Sequence, residues 1–248
     1  RSSDLRYTMS FYNTLANHYS NIFPLSKYHL SLFDSVISKE SKTGLDLGCA
    51  TGVLTYALKQ FIPKMTGIDL SETMIKVANE NNQDDIEFKV MDMTTITSEF
   101  KPHSFDVITC LGNTLVHVNH ERVKKLFNDI HICLSHDGQF IIQVVNYDLI
   151  LREKQTSLPS IINQTIEFHR KYVYSNNDST IVFNATLVDL HSGKSFKDET
   201  ILYPLTHSQI SELLEETGFK ITHEYGAWNM HSYNPNSSPS IIIVAKKK

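Results

Sequence analysis

The stretch Gly44-Leu45-Asp46-Leu47-Gly48-Cys49-Ala50-Thr51-Gly52-Val53-Leu54-Thr55-Tyr56-Ala57-Leu58 does most to restrict what this chain can fold into. A short apolar run ends in a glycine-bearing turn, and an amphipathic pattern follows at once. That order reads as strand, tight loop, helix: the first unit of an open α/β sheet, in which ligands sit beyond the carboxyl ends of the strands. Gly48 and Gly52 permit backbone conformations and a close ligand approach that a Cβ would obstruct. A dinucleotide fingerprint G-x-G-x-x-G would fall on Gly48, Ala50 and Val53, so two of its three glycines are missing. Asp46 at the strand end would repel a pyrophosphate, whereas the same carboxylate suits a cationic amino-acid tail.

The run Asp46-x-Gly48-Cys49-Ala50-Thr51-Gly52-x-Leu54-Thr55, followed by Gly67-Ile68-Asp69-Leu70-Ser71-Glu72-Thr73-Met74-Ile75, resembles the class I methyltransferases that use S-adenosylmethionine (SAM). Ala50 replaces the family's usual middle glycine. The resemblance implies an α/β fold with a seven-stranded, mostly parallel Rossmann-like sheet, helices on both faces and an antiparallel C-terminal edge strand. It implies SAM as cofactor and S-adenosylhomocysteine (SAH) as product, with Asp46, Gly48, Cys49, Ala50, Thr51 and Gly52 around the cofactor.

Asp69 ends the second expected strand, Lys64 to Leu70, close to the spacing at which an acid accepts hydrogen bonds from ribose hydroxyls. A carboxylate takes both hydroxyls at once, and charge-assisted bonds are the stronger kind. Helix capping is the plainer role, but Ser71 with Glu72 already serves the next helix start. Leu70 and Met74 would then flank the adenine. Strand three, Ile86 to Met91, leads into Met91-Asp92-Met93, which resembles the family segment that holds adenine. There the Asp92 side chain would accept from the exocyclic amine, a surface turn being the alternative.

Residues 4–22 place Leu5, Phe11, Tyr12, Leu15, Ala16, Tyr19 and Ile22 at near-helical spacing. A core helix is one reading. The pattern Phe11-Tyr12-Asn13-x-Leu15-Ala16-x-x-Tyr19 also looks like the entry segment of many small-molecule methyltransferases, which implies a helical lid over residues 1–42 with Tyr12 and Tyr19 lining the site. Pro24 then opens a second helix to about Ile37.

Strand four, Ser104 to Leu111, is followed by Gly112-Asn113-x-x-x-His117, similar to a stretch of the glycine and sarcosine N-methyltransferases. The resemblance puts Leu111, Asn113 and His117 beside the methyl group and the acceptor, although a loop histidine is usually structural. An amphipathic helix follows from Glu121 to Leu134, then strand five from Gln139 to Val145. Asn146-Tyr147-Asp148 again resembles those N-methyltransferases, but the arginine they usually carry before it is Val145 here. Residues 160–204 alternate in strand fashion around turns at 176–179 and 191–194, a three-stranded antiparallel insert over the substrate site. Arg170 there would reach an acidic substrate group or form an exposed cross-strand ion pair. Residues 43–150 and 205–248 form the SAM-binding core, closing with helix 207–217, strand Phe219 to Trp228 and strand Ser240 to Lys246.

A net charge of −4 gives no basic field to draw in nucleic acid. Cys49, Cys110 and Cys133 lack ligand or disulfide spacing, which fits reduced thiols in a cytoplasmic setting and no bound metal. No stretch reads as a signal peptide or a membrane span, and a start at Arg1 fits a shortened chain. The expected partner is a small-molecule acceptor, with neither nucleic acid nor membrane, and a homodimer is allowed for. Methyl transfer to an amine leads. An O- or C-methyltransferase and a non-catalytic SAM-binding regulator are the rivals.

Overall fold

The computed structural model describes residues 2–82, 85–175 and 179–248, without the side chains of residues 2–10 and Tyr12. The turn expected at 176–178 lies outside the described residues, and so do the Leu5 and Tyr12 side chains. In chain order the first elements are α1 (Ser2–Ile22), α2 (Lys27–Val36), β1 (Thr43–Leu47), α3 (Val53–Lys59), β2 (Lys64–Asp69), α4 (Glu72–Glu80) and β3 (Glu87–Val90). Then come α5 (Ile96–Glu99), β4 (Phe105–Cys110), α6 (His120–Cys133), β5 (Leu134–Val145) and α7 (Tyr147–Glu153). The chain ends with β6 (Ser157–Ile162), β7 (Ile166–Tyr174), β8 (Ile181–Asp189), β9 (Ser195–Leu202), α8 (His207–Glu216), β10 (Phe219–Tyr225) and β11 (Ser240–Lys247).

Seven strands form one sheet in the order β10-β11-β5-β4-β1-β2-β3. The order reverses between β4 and β1, and a crevice opens there beyond the carboxyl ends of the strands. β1, β2, β4 and β5 are buried along most of their length, as strands covered by helices on both faces must be. The antiparallel member is β11, which pairs with both β5 and β10 and so sits one place in from the edge. Its run Ile241-Ile242-Ile243-Val244-Ala245 is fully enclosed, and only an interior place in the sheet encloses it on both sides.

The insert has four strands, β6-β7-β8-β9, rather than the three expected from the alternation. β6 was missed because Ser-Leu-Pro-Ser-Ile-Ile carries a proline and reads as linker. As an edge strand it tolerates Pro159, which lies where its register with β7 shifts. The helix α7 was not expected either. Asn146 caps it by accepting from the Leu149 N–H at 3.2 Å, so the Asn-Tyr-Asp run is a helix start. Strand β10 stops at Tyr225, short of Trp228, and β5 begins early, at Leu134.

α1 packs between the insert and the core. Phe11, Leu15, Ala16 and Ile22 meet Ile166, Phe168, Ala185 and Leu187 of the insert, together with Met74 of α4 and Ala50 of the glycine loop. Asn13 Oδ1 accepts from the Thr73 hydroxyl at 2.9 Å, fixing α1 to α4. The helix therefore spans insert and core directly above the β1 loop. Among the described residues no helix is long and apolar enough to cross a membrane.

Candidate active site

The β1 loop is built on left-handed residues. Gly48 has φ +70°, Ala50 φ +47° and Gly52 φ +83°. Ala50 thus occupies a conformation that disfavours a Cβ, and in doing so aims its N–H at Asp69 Oδ2, 2.9 Å away. Asp69 Oδ1 accepts from the Ser71 N–H at 2.9 Å, while the Ser71 hydroxyl caps α4 as the sequence suggested. Both oxygens of Asp69 keep lone pairs for a ligand. A Cβ on Gly48 would stand 2.2 Å from Thr114 Cγ2 in the loop after β4. Gly48→Ala is therefore expected to destabilise the fold by at least about 1–2 kcal/mol and to weaken cofactor binding, read from chemical unfolding and a SAM titration.

Asp46 is almost fully buried at the end of β1. Its carboxylate accepts from the Thr55 hydroxyl at 2.6 Å and from the Thr109 hydroxyl at 2.7 Å. Burial pushes it up to about 6, against the pull of those hydroxyls, and the charge of Asp69 pushes the same way. Burial also raises Asp69. Among the described residues neither acid has a basic partner. The Tyr19 hydroxyl of α1 completes the group: burial, then the charges of Asp69 and Asp46, hold its pKa high. Two neighbouring carboxylates without a cation form a site for a cationic ligand, and SAM carries a sulfonium and an ammonium. The burial of Thr55 and Thr109 was not singled out in the sequence. Thr109 stands directly opposite Asp46 in the β1–β4 register, and a threonine inside an apolar strand was the available signal.

The remaining cofactor candidates divide. Cys49 and Thr51 are buried in the loop, and Leu111 is buried just past β4. Burial lifts the Cys49 thiol well above its usual range. Leu70 is 68% exposed, whereas Met74 lies buried under α1, so they do not form matching walls in this structure. Met91 and Met93 are partly buried against the main core. Asp92 Oδ1 accepts from both the N–H and the hydroxyl of Thr94 at 2.8 Å, and Oδ2 lies 3.8 Å from Arg122. Asp92 thus caps a turn, and Oδ2 is the oxygen left for an adenine amine. A cavity of about 660 Å³ beside the loop is lined by Ala16, Asn17, Thr51, Val53, Tyr56 and Val77 among others, between α1, α3 and α4. It touches the loop at Thr51, and neither Asp46 nor Asp69 lines it.

The loop after β4 is more heavily tied down than its sequence suggested. Asn113, at φ +66°, accepts from the Val145 N–H at 3.1 Å and donates to the Tyr147 hydroxyl at 3.0 Å. Tyr147 is fully buried, and its hydroxyl lies beside that of Tyr172 in β7. Neither tyrosine was singled out as a functional residue. Together they join the insert to the ends of β4 and β5, and burial pushes Tyr172 up to about 12. His117 ends a short turn at Thr114–His117 just past β4, and desolvation lowers its pKa. The Tyr203 N–H beyond β9 donates to Val116 at 2.7 Å, which ties the insert's exit to the same turn. Arg170 lies on the inner face of the insert, away from the cross-strand ion pair that was one reading of it.

Residues 45–138 match a family described as a methyltransferase domain. The glycine/sarcosine N-methyltransferase of Aphanothece halophytica is 28% identical over 218 residues, covering 84% of this chain and 77% of that protein. The chain carries a class I SAM-dependent methyltransferase domain. A ubiquinone biosynthesis O-methyltransferase of Pseudomonas entomophila is 30% identical over 98 residues, 38% of this chain and 42% of that protein. A crystal structure of a SAM-dependent methyltransferase from Clostridium acetobutylicum superposes with a TM-score of 0.79 at 18% identity, covering 95% of this chain and 98% of that one. As a methyltransferase, the chain uses SAM as its cofactor, and the unpaired acids Asp46 and Asp69 fit its positive charge.

Proposed function

We propose that this methyltransferase acts on the nitrogen of a small amine. The observation that carries the reading is the breadth of the N-methyltransferase likeness, 84% of the chain against 38% for the O-methyltransferase. Bound SAM supplies a methyl group already activated by the sulfonium charge. The chain's residues then have to place the nucleophile in line and exclude water. Asp69 would hold the ribose, Asp46 the amino-acid end and Asp92 Oδ2 the adenine, with Tyr12 and Tyr19 of α1 closing over them. The acceptor would lie between the loop after β4 and the inner face of the insert. Asn113 shapes that loop through its bonds to Val145 and Tyr147.

An ammonium has no lone pair, so an amine must shed a proton before it attacks. Desolvation lowers the His117 pKa, which favours the neutral imidazole that a proton acceptor needs. His117→Ala should lower turnover and flatten the acid limb of the pH profile below about pH 6.5, with SAM affinity little changed. Unchanged turnover and an unchanged acid limb would remove His117 from the reaction.

A panel of small amines, phenols and carbon acids incubated with methyl-labelled SAM tests the reading. Label on nitrogen is the expected result. Label on phenol oxygen or carbon alone would overturn the amine assignment, and SAM binding without transfer to any acceptor would favour a regulator.

A further inference from the structure

We propose that the acceptor carries a carboxylate and that Arg170 of β7 receives it; this rests on the amine reading and narrows its substrate class. Phe168, Arg170 and Tyr172 project to one face of β7, and Phe168 and Tyr172 are both buried. The strand partners of Arg170 are Leu158 and Ala185, neither of them acidic. The acid in its row, Asp198, pairs with Ala185 on β9, two strands away and so about 10 Å off. The guanidinium is nevertheless held still. Its Nη2 donates to the Pro159 carbonyl at 2.6 Å, and it lies over the Phe168 ring at 5.5 Å. Its Nε is enclosed by protein and has no hydrogen-bond partner, the one such side-chain atom among the described residues.

A half-buried cation held in place, with a buried Nε that has no acceptor, is costly unless a ligand supplies one. Burial lowers the Arg170 pKa, and Tyr172 follows two residues along on the same face of the strand. Tyr172 in turn lies beside Tyr147, whose hydroxyl accepts from the Asn113 amide. Arg170 is thus one place along the inner face, about 7 Å, from where the insert meets the loop after β4. A short molecule with an amine at that loop and an anion at its other end would span the two. The acids Asp46 and Asp69 would answer the charge of the cofactor, and Arg170 that of the acceptor.

Matched acceptors test the proposal: each amine that is methylated is compared as its carboxylate and its carboxamide, beginning with N-methylglycine and N-methylglycinamide. The parent should prefer the carboxylate by about tenfold to a hundredfold in kcat/KM. Arg170→Gln should erase the preference, and Arg170→Lys should restore part of it. A parent indifferent to the carboxylate, or a preference that survives in Arg170→Gln, would overturn the proposal. A second measurement needs no turnover. Sodium acetate, compared with sodium chloride at equal ionic strength, should raise the melting midpoint of the SAH-saturated parent and leave that of Arg170→Gln unmoved. Equal responses, or none in the parent, would also overturn it. If no amine is methylated the amine reading fails by itself, and the acetate comparison still decides the anion site.

Discussion

Asp69→Ala is expected to lower SAM affinity roughly tenfold to a hundredfold in a protein that remains folded. Two contributions add. The carboxylate is the proposed acceptor for the ribose hydroxyls, a charge-assisted pair. It also accepts from the Ala50 and Ser71 N–H groups, so it sets the shape of the glycine loop and the start of α4 before any ligand arrives. Asp69→Asn keeps one accepting oxygen and should fall between the two. Isothermal calorimetry on all three proteins makes the comparison. An unaltered dissociation constant in a folded Asp69→Ala protein would end the ribose assignment.

Asp46→Asn is expected to stabilise the ligand-free protein at neutral pH while weakening SAM binding. Asp46 titrates at about 6 in the fold, against about 3.9 in an unfolded chain. The folded protein therefore holds this proton more tightly than the unfolded one. Its contribution to stability is fully present below about pH 4 and is lost as the pH rises through about 6. Two units of difference correspond to about 3 kcal/mol at neutral pH, an upper bound because the amide offers Thr55 and Thr109 one acceptor in place of two. Urea unfolding of parent and variant at pH 4 and pH 7.5 measures the slope. A parent no less stable at pH 7.5 relative to the variant than at pH 4 would show that Asp46 is not the group responsible. The loss of SAM affinity follows from removing a charge that faces a cation, so the two effects should oppose each other.

The cofactor half of the molecule was legible because its chemistry is local. Strand, loop and acid follow one another in Asp46 to Gly52 and again in Gly67 to Ser71, and each acid lies within a few residues of the turn it shapes. The insert was less legible. β6 hides its strand character behind Pro159, and an edge position is a tertiary fact. Asn113 and Arg170 were singled out by type and place, but their partners could not be. The bond from Asn113 to Tyr147 and the meeting of Tyr147 with Tyr172 join residues far apart in sequence, and the place of the Arg170 head depends on Pro159 and Phe168 beside it. The alternation of β7 shows that Arg170 shares a face with two aromatics. It does not show that this face turns inward, which follows from α1 and the core packing against it.

α1 decides whether the site is a closed one. Its residues reach Ala50, Met74 and the insert, and its Tyr19 hydroxyl feels the charge of both Asp46 and Asp69. If SAM lies beneath this helix, ligand binding must stabilise α1 together with the loop below it. Amide hydrogen exchange measured with and without saturating SAH gives the most direct reading. Exchange should slow over residues 11–22, over 48–52 and over 69–74, and remain unchanged in β10. Slowing confined to the loop, with α1 exchanging at the same rate in both states, would contradict a cofactor held under the N-terminal helix.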